Sequence, residues 1–186
     1  RPARRRRSRK LSNRAVLDGP DILRALRRIS HEILEANEGP ENLVILGIPT
    51  RGVELARRVV EILQAIEPNQ IIEFGILDIT MYRDDSAKAE REIHESSLPV
   101  SGIDGKVVVL VDDVLFSGRT VRAALDALTS YGRPKQVKLA VLVDRGHREL
   151  PIRPDFVGKN LPTSVTERVS VQLMGSDGID QVVISG

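Results

Sequence analysis

The chain has 186 residues, 41% hydrophobic and 29% charged, a size and balance that suit one soluble α/β domain with a sizeable core and exclude a largely disordered chain. No apolar run reaches the 18 residues of a membrane span, and the absence of Cys removes disulfides, thiol nucleophiles and thiolate metal sites together. Three His, two Tyr, three Phe and no Trp offer neither an obvious zinc site nor an aromatic platform for stacked bases.

The net charge of +2 conceals an asymmetry, because residues 1–10 (RPARRRRSRK) carry seven basic residues and no acid, while acids outnumber bases in the rest. Residues 1–13 read as a basic disordered extension or an expression remnant, with a nucleic-acid-binding arm as the sharper alternative. Residues 14–186 read as a single domain. No apolar stretch with a small-residue cleavage site follows the basic start, so the expectation is a cytoplasmic protein.

Residues 19–37 place Ile22, Leu26, Ile29 and Ile33 at three- and four-residue spacing, with Pro20 suited to a first turn, and predict an amphipathic helix ended by Gly39-Pro40. Residues 43–48 (LVILGI) form the short apolar run of a buried parallel strand. Beyond Pro49-Thr50-Arg51-Gly52, residues 53–66 return to helical spacing, and 70–77 are a second strand candidate. Residues 78–99 are polar and charged, and a loop of that length in a compact domain is functional or disordered. The strongest strand is 106–111 (KVVVLV), followed by a polar loop at 112–120, a helix at 121–131 and a strand at 136–143. Residues 144–166, rich in Arg, Pro and Gly without a period, predict an irregular excursion over one end of the sheet, and alternating strands at 168–174 and 181–184 finish the order. The fold class is α/β, a mostly parallel central sheet with helices on both faces. Ligands of such sheets bind beyond the carboxyl ends of the strands, where the loops at 49–52, 78–99, 112–120 and 144–166 should meet.

The chemistry concentrates in residues 107–120 (VVVLVDDVLFSGRT), where a buried strand delivers Asp112 and Asp113 to the sheet edge. The N–H groups of Val114, Leu115, Phe116, Ser117, Gly118, Arg119 and Thr120, backed by a helix N-terminus, suit a monophosphate. The hydroxyls of Ser117 and Thr120 can add hydrogen bonds, and the two carboxylates can accept from vicinal hydroxyls. A sugar with a 5-phosphate and free hydroxyls fits that spacing. The alternatives are solvated acids on an ordinary strand–turn–helix, or an Asp pair holding a metal for phosphatase chemistry. No G-x-G-x-x-G follows a strand, and no G-x-x-x-x-G-K-[ST] occurs.

This segment resembles the 5-phosphoribosyl-1-pyrophosphate (PRPP) motif of type I phosphoribosyltransferases. Residues 43–52 (LVILGIPTRG) resemble the family's pyrophosphate loop and 78–85 (DITMYRDD) the start of its mobile loop, placed at about 78–99. Residues 140–164 (AVLVDRGHRELPIRPDFVGKNLPTS) resemble the hood, at about 144–166, of the pyrimidine operon regulators that double as uracil phosphoribosyltransferases. The resemblance spans about residues 14–184. Gly118-Arg119 departs from the Gly-Gly common in the wider family.

The resemblance implies transfer of phosphoribosyl from PRPP to uracil, giving UMP and diphosphate, and binding of a pyrimidine operon mRNA leader under control of UMP or UTP. It implies a homodimer or homotetramer, with no membrane and no DNA as partner. Asp112 and Asp113 would face the oxocarbenium-like ribose, while Arg51, with Thr50 and the N–H of Gly52, would meet the departing pyrophosphate. Mg²⁺ would arrive with PRPP near Asp112 and Asp113, with no direct protein ligand. Arg83 and Arg91 of the mobile loop would touch the pyrophosphate, Arg145 would flank the uracil, and backbone near Val169 would read its edge. Arg27, Arg28, His31, Arg148, Arg153 and Lys159 are the RNA candidates, against the bland reading of ion pairs on an acidic body. Two other functions stay open: a PRPP- or nucleotide-sensing regulator without turnover, and a base-salvage enzyme without RNA binding.

Overall fold

The computed structural model describes residues 12–84 and 95–186. In chain order the elements are β1 (Asn13–Asp18), α1 (Gly19–Ala36), β2 (Leu43–Gly47), α2 (Arg51–Ile66), β3 (Glu73–Ile76), a 3₁₀ turn (Thr80–Tyr82), β4 (Val107–Leu115), α3 (Arg119–Leu128), β5 (Gln136–Asp144), β6 (Phe156–Asn160), β7 (Arg168–Gln172), α4 (Met174–Asp177) and β8 (Gln181–Ser185). The central sheet has the order β3-β2-β4-β5-β6 and is parallel throughout. All of β2 and the first five residues of β4 are buried and apolar, which is why both read as unbroken apolar runs.

Alternation along the strands divides the core in two. Leu43, Ile45 and Val109 pack with Ile22, Leu26 and Ile29 of α1 and Leu55, Val59 and Leu63 of α2. Val44, Leu46 and Leu110 pack with Val121, Ala124 and Leu128 of α3 on the opposite face. α1 begins with a reciprocal cap in which Asp21 N–H donates to Asp18 and Asp18 N–H donates to Asp21, at 2.9 and 3.0 Å. No helix among the described residues is long and apolar enough to cross a membrane.

The structure departs from the sequence expectations in three places. β4 continues through Asp112 and Asp113 to Leu115, because β5 pairs with it to that point (Asp112↔Val141, Leu115↔Asp144). The acids therefore stand on the strand, not in the loop after it. Residues 144–166 are not wholly irregular, since β6 lies within them and adds a parallel strand to the central sheet. The last two strands do not extend that sheet. With β1, which precedes the first expected element, they form a separate antiparallel sheet in the order β1-β8-β7.

Candidate active site

The start of α2 lies directly against the end of β4. A Cβ added to Gly52 would stand 2.5 Å from the Val111 carbonyl oxygen and 3.3 Å from Asp112 Cα, so the close approach requires glycine. The loop before α2 is anchored by Ile48 N–H donating to that same carbonyl at 3.0 Å, and its Pro49–Thr50 peptide bond is cis. The residues of the pyrophosphate-loop resemblance are thus held beside the acid pair.

Asp112 is buried and accepts the Asp113 N–H at 2.9 Å, while Asp113 accepts the Val114 N–H at 2.8 Å. Burial first, and the neighbouring Asp113 charge second, push the Asp112 carboxyl well above the ordinary carboxylate range, against an opposing pull from Arg83. Arg83, at the start of the 78–99 segment, is therefore within electrostatic reach of the acid pair.

The turn after β4 is made by Gly118, in the left-handed region at φ 93°, which delivers the chain into α3. Arg119 N–H donates to Ser117 Oγ at 3.3 Å. Residues 145–152 wrap this turn. The N–H groups of Glu149 and Leu150 both donate to the Ser117 carbonyl, at 2.9 and 3.1 Å, and the Glu149 carboxylate accepts from Arg119 Nε at 2.7 Å. Asp112, Arg83, Ser117, Gly118, Thr120 and Glu149 share a cavity of about 310 Å³, which Val114, Leu115, Phe116 and Arg119 also line. Its size falls at the lower end of small-ligand sites.

Arg51 stands at the N-terminus of α2, with its guanidinium held two-point by Asp177 at 3.1 Å (Nε) and 2.7 Å (Nη2). That bond, with a further contribution from Asp113, raises the Arg51 pKa. Thr50 is exposed in the loop before it.

Arg145, expected to flank the uracil, is buried, with its guanidinium 4.2 Å over the Phe116 ring. Its Nη2 donates to the carbonyls of Ser164 and Glu167 at 3.0 and 2.7 Å, and its buried Nε has no partner among the described residues. Burial lowers its pKa. Arg145 thus ties the end of β5 to the second sheet and backs Phe116, whose ring is the exposed group. Val169 lies half-buried on β7, the edge strand of that sheet. Arg91 lies outside the described residues.

The RNA candidates divide. Arg28 and Lys159 line one hollow of about 330 Å³ between α1 and β6, with Arg24 beside them, while Arg27, His31 and Arg153 are exposed elsewhere. Arg28 also donates to the carbonyls of Val157 and Gly158, at 3.0 and 2.6 Å, which braces β6. Arg148 is fully engaged within the protein. It donates to the Ile152 and Phe116 carbonyls, both at 2.9 Å, and to Asp144 at 2.6 Å, so it acts as a loop brace with a compensated charge. Sequence reasoning missed Glu149 and Asp177. Glu149 sits inside the quoted hood resemblance, but nothing local marks Asp177, whose partner is distant in the chain.

The family described as Phosphoribosyl transferase domain matches residues 12–173. The Bifunctional protein PyrR of Leifsonia xyli subsp. xyli is 62% identical over 176 residues, covering 92% of this chain and 96% of its own length. That of Streptomyces coelicolor is 60% identical over 172 residues, covering 92% and 89%. Among solved structures, a hypoxanthine-guanine phosphoribosyltransferase of Bacillus anthracis aligns with a TM-score of 0.66 at 16% identity, over 95% of this chain and 98% of that one. The hypoxanthine phosphoribosyl transferase of Trypanosoma cruzi aligns with a TM-score of 0.69 at 14% identity, over 96% and 94%. At those identities the likeness concerns the fold alone.

Proposed function

Because the chain belongs to the phosphoribosyltransferase family, and within it to the family of bifunctional PyrR proteins, we propose that it transfers phosphoribosyl from PRPP to uracil and binds pyrimidine mRNA leaders under uridine-nucleotide control, as a homo-oligomer. One observation carries the catalytic half: buried Asp112, with Asp113 next to it on β4, and a glycine-led turn open into one cavity, with Arg51 held alongside by the close approach at Gly52.

Breaking the C1–oxygen bond of PRPP leaves positive charge on the ribose and negative charge on the diphosphate. Asp113 and Asp112 supply negative charge and hydroxyl acceptors on the ribose side. The backbone N–H groups of residues 116–120 and the Ser117 and Thr120 hydroxyls hold the 5-phosphate at the start of α3. Arg51 and Arg83 supply cations on the diphosphate side. Two carboxylates at one edge suit Mg²⁺, which keeps waters and phosphate oxygens as most of its ligands. When bound, it neutralises charge on the diphosphate. Backbone near Val169 and the exposed ring of Phe116 are the surfaces offered to the base, and hydrogen bonds to uracil supply discrimination.

The test is diphosphate release from PRPP with uracil, hypoxanthine and guanine, run beside leader-RNA binding with and without UMP. Uracil alone should be turned over, and Asp112→Asn with Asp113→Asn should lower the rate by about 10²-fold or more. UMP should tighten RNA binding by roughly 5- to 150-fold. Turnover of purines but not uracil would sink the catalytic half, and equal RNA affinity with and without UMP the regulatory half.

A further inference from the structure

Arg51 is placed to meet a leaving diphosphate, but an arginine at a helix start has many rotamers, and something must aim it. We propose that Asp177 is the positioning residue for Arg51, fixing its guanidinium beside the acid pair and thereby setting the affinity for the diphosphate end of PRPP. This deepens the activity proposed above and rests on it.

Three residues on one face of α2, spaced as a helical stripe, grip the segment 173–180 between β7 and β8. Arg51 pairs with Asp177, Glu54 accepts the Gly175 N–H at 3.1 Å, and Arg58 pairs with Asp180 at 3.0 and 2.7 Å. Asp177 and Asp180 are built alike. Each takes a guanidinium two-point, and each accepts one backbone N–H of its own segment, from Leu173 at 2.9 Å and from Met174 at 2.7 Å.

What differs is the far side of each guanidinium. Arg58 is closed in by Glu54, which accepts from its Nη2 at 2.7 Å. Arg51 presents its Nε edge to Asp177, and its Nη1 has no partner among the described residues, while the charge of Asp113 acts on it from the acid pair. A planar guanidinium held by one edge presents its other donors at a fixed angle, which suits two-point contact with phosphate oxygens. Ordering the side chain beforehand also lowers the entropy cost of binding. The Arg51 side chain is 35% exposed and its partner's 21%, so the pair adds little to stability and its effect is orientation. Asp177 lies beyond residue 173, where the match to the general family ends.

The experiment compares Asp177→Asn with Asp180→Asn as a matched control. Each variant loses one carboxylate charge and one two-point pair to α2, and each keeps an oxygen for its backbone N–H. In D177N the KM for PRPP and the inhibition constant for diphosphate should each rise about 10-fold, the scale of losing a hydrogen bond between charged groups. The KM for uracil should not move. D180N should leave all three constants unchanged while lowering the melting temperature as much as D177N does. In an Arg51→Ala background, D177N should add nothing further to the KM for PRPP. Should D177N fail to fold, Asp177→Glu, which keeps the charge on a longer arm, should show the PRPP effect in part. Equal PRPP shifts in D177N and D180N would overturn the proposal, as would no shift, or a tighter KM, in D177N. Titration calorimetry with magnesium diphosphate reads the same shift without turnover. A wild type inactive on uracil would therefore sink the proposed activity and still leave the role of Asp177 to be decided by binding.

Discussion

Gly52→Ala asks whether the contact between α2 and β4 builds the site. In the first turn of a helix, replacing Gly with Ala ordinarily stabilises by up to about 1 kcal/mol, because the unfolded chain loses freedom and the helix gains propensity. Here the new Cβ would stand 2.5 Å from the Val111 carbonyl oxygen, where a carbon–oxygen contact is ordinarily about 3.3–3.6 Å. The obstacle is backbone of a buried central strand, which cannot swing aside as a side-chain tip would. The start of α2 must therefore shift outward by about 1 Å, taking Thr50 and Arg51 with it. Overpacking of this kind costs about 1–3 kcal/mol. Each kcal/mol is about 2–4 °C for a chain of this length, so a cost of about 2 kcal/mol lowers the melting temperature by about 4–8 °C. A displacement of that size at the reacting centre costs up to about 10²-fold in rate. Thermal denaturation and uracil-dependent diphosphate release, measured on the same preparation, check both. A higher melting temperature with unchanged turnover would refute the steric argument, because the sign of the stability change is what distinguishes a filled contact from open space.

Asp112→Asn alone should separate stability from catalysis. The folded-state pKa of Asp112 is raised above the reference value of 3.8, so the folded protein loses stability as pH climbs above that value and the buried carboxyl is forced to ionise. The variant should melt higher than wild type at pH 7–8 and lose that advantage near pH 4, while turning over more slowly; a lower melt at neutral pH would contradict the burial argument. Arg148→Met removes three hydrogen-bonding nitrogens from the loop that wraps Ser117, and should lower stability by about 1–2 kcal/mol after allowance for partial solvation. It should also weaken UMP binding. An unchanged denaturant midpoint with unchanged UMP affinity would return Arg148 to the role of a solvent-facing cation.

What the sequence made legible follows from burial. β2 and β4 are covered on both faces, so their apolar runs stand out, and the acids that follow Val111 mark the strand's carboxyl edge. α1 reads from its spacing because one face alone is buried. β6 was hidden for the opposite reason. As an edge strand its FVGKN mixes Gly and Lys, and the side chain of Arg28 braces it through backbone carbonyls that no pattern reveals. β1 was hidden because its first three residues are exposed and its partner β8 lies at the other end of the described chain. The cations are harder to place from sequence than the acids. A carboxylate pair at a strand end has few uses, whereas Arg145 and Arg148 could be solvated, paired or stacked, and only the fold decides which.

The sheet formed by β1, β8 and β7 carries a consequence for synthesis. β1 is made before every other element described, yet it finds its neighbour only once residues 181–185 have been made, and Ser12 N–H meets the Gly186 carbonyl at 3.3 Å. The parallel sheet can assemble during translation, since β2 to β6 are complete by residue 160. Arg51 would then stand on α2 without Asp177, and Arg58 with Glu54 alone, until residues 177 and 180 emerge. A nascent or prematurely terminated chain would thus hold most of the core and an unaimed diphosphate cation, with β1 exposed as an unpaired strand for proteases and chaperones to detect. Arg51 is therefore aimed only after the parallel sheet that carries it has been made.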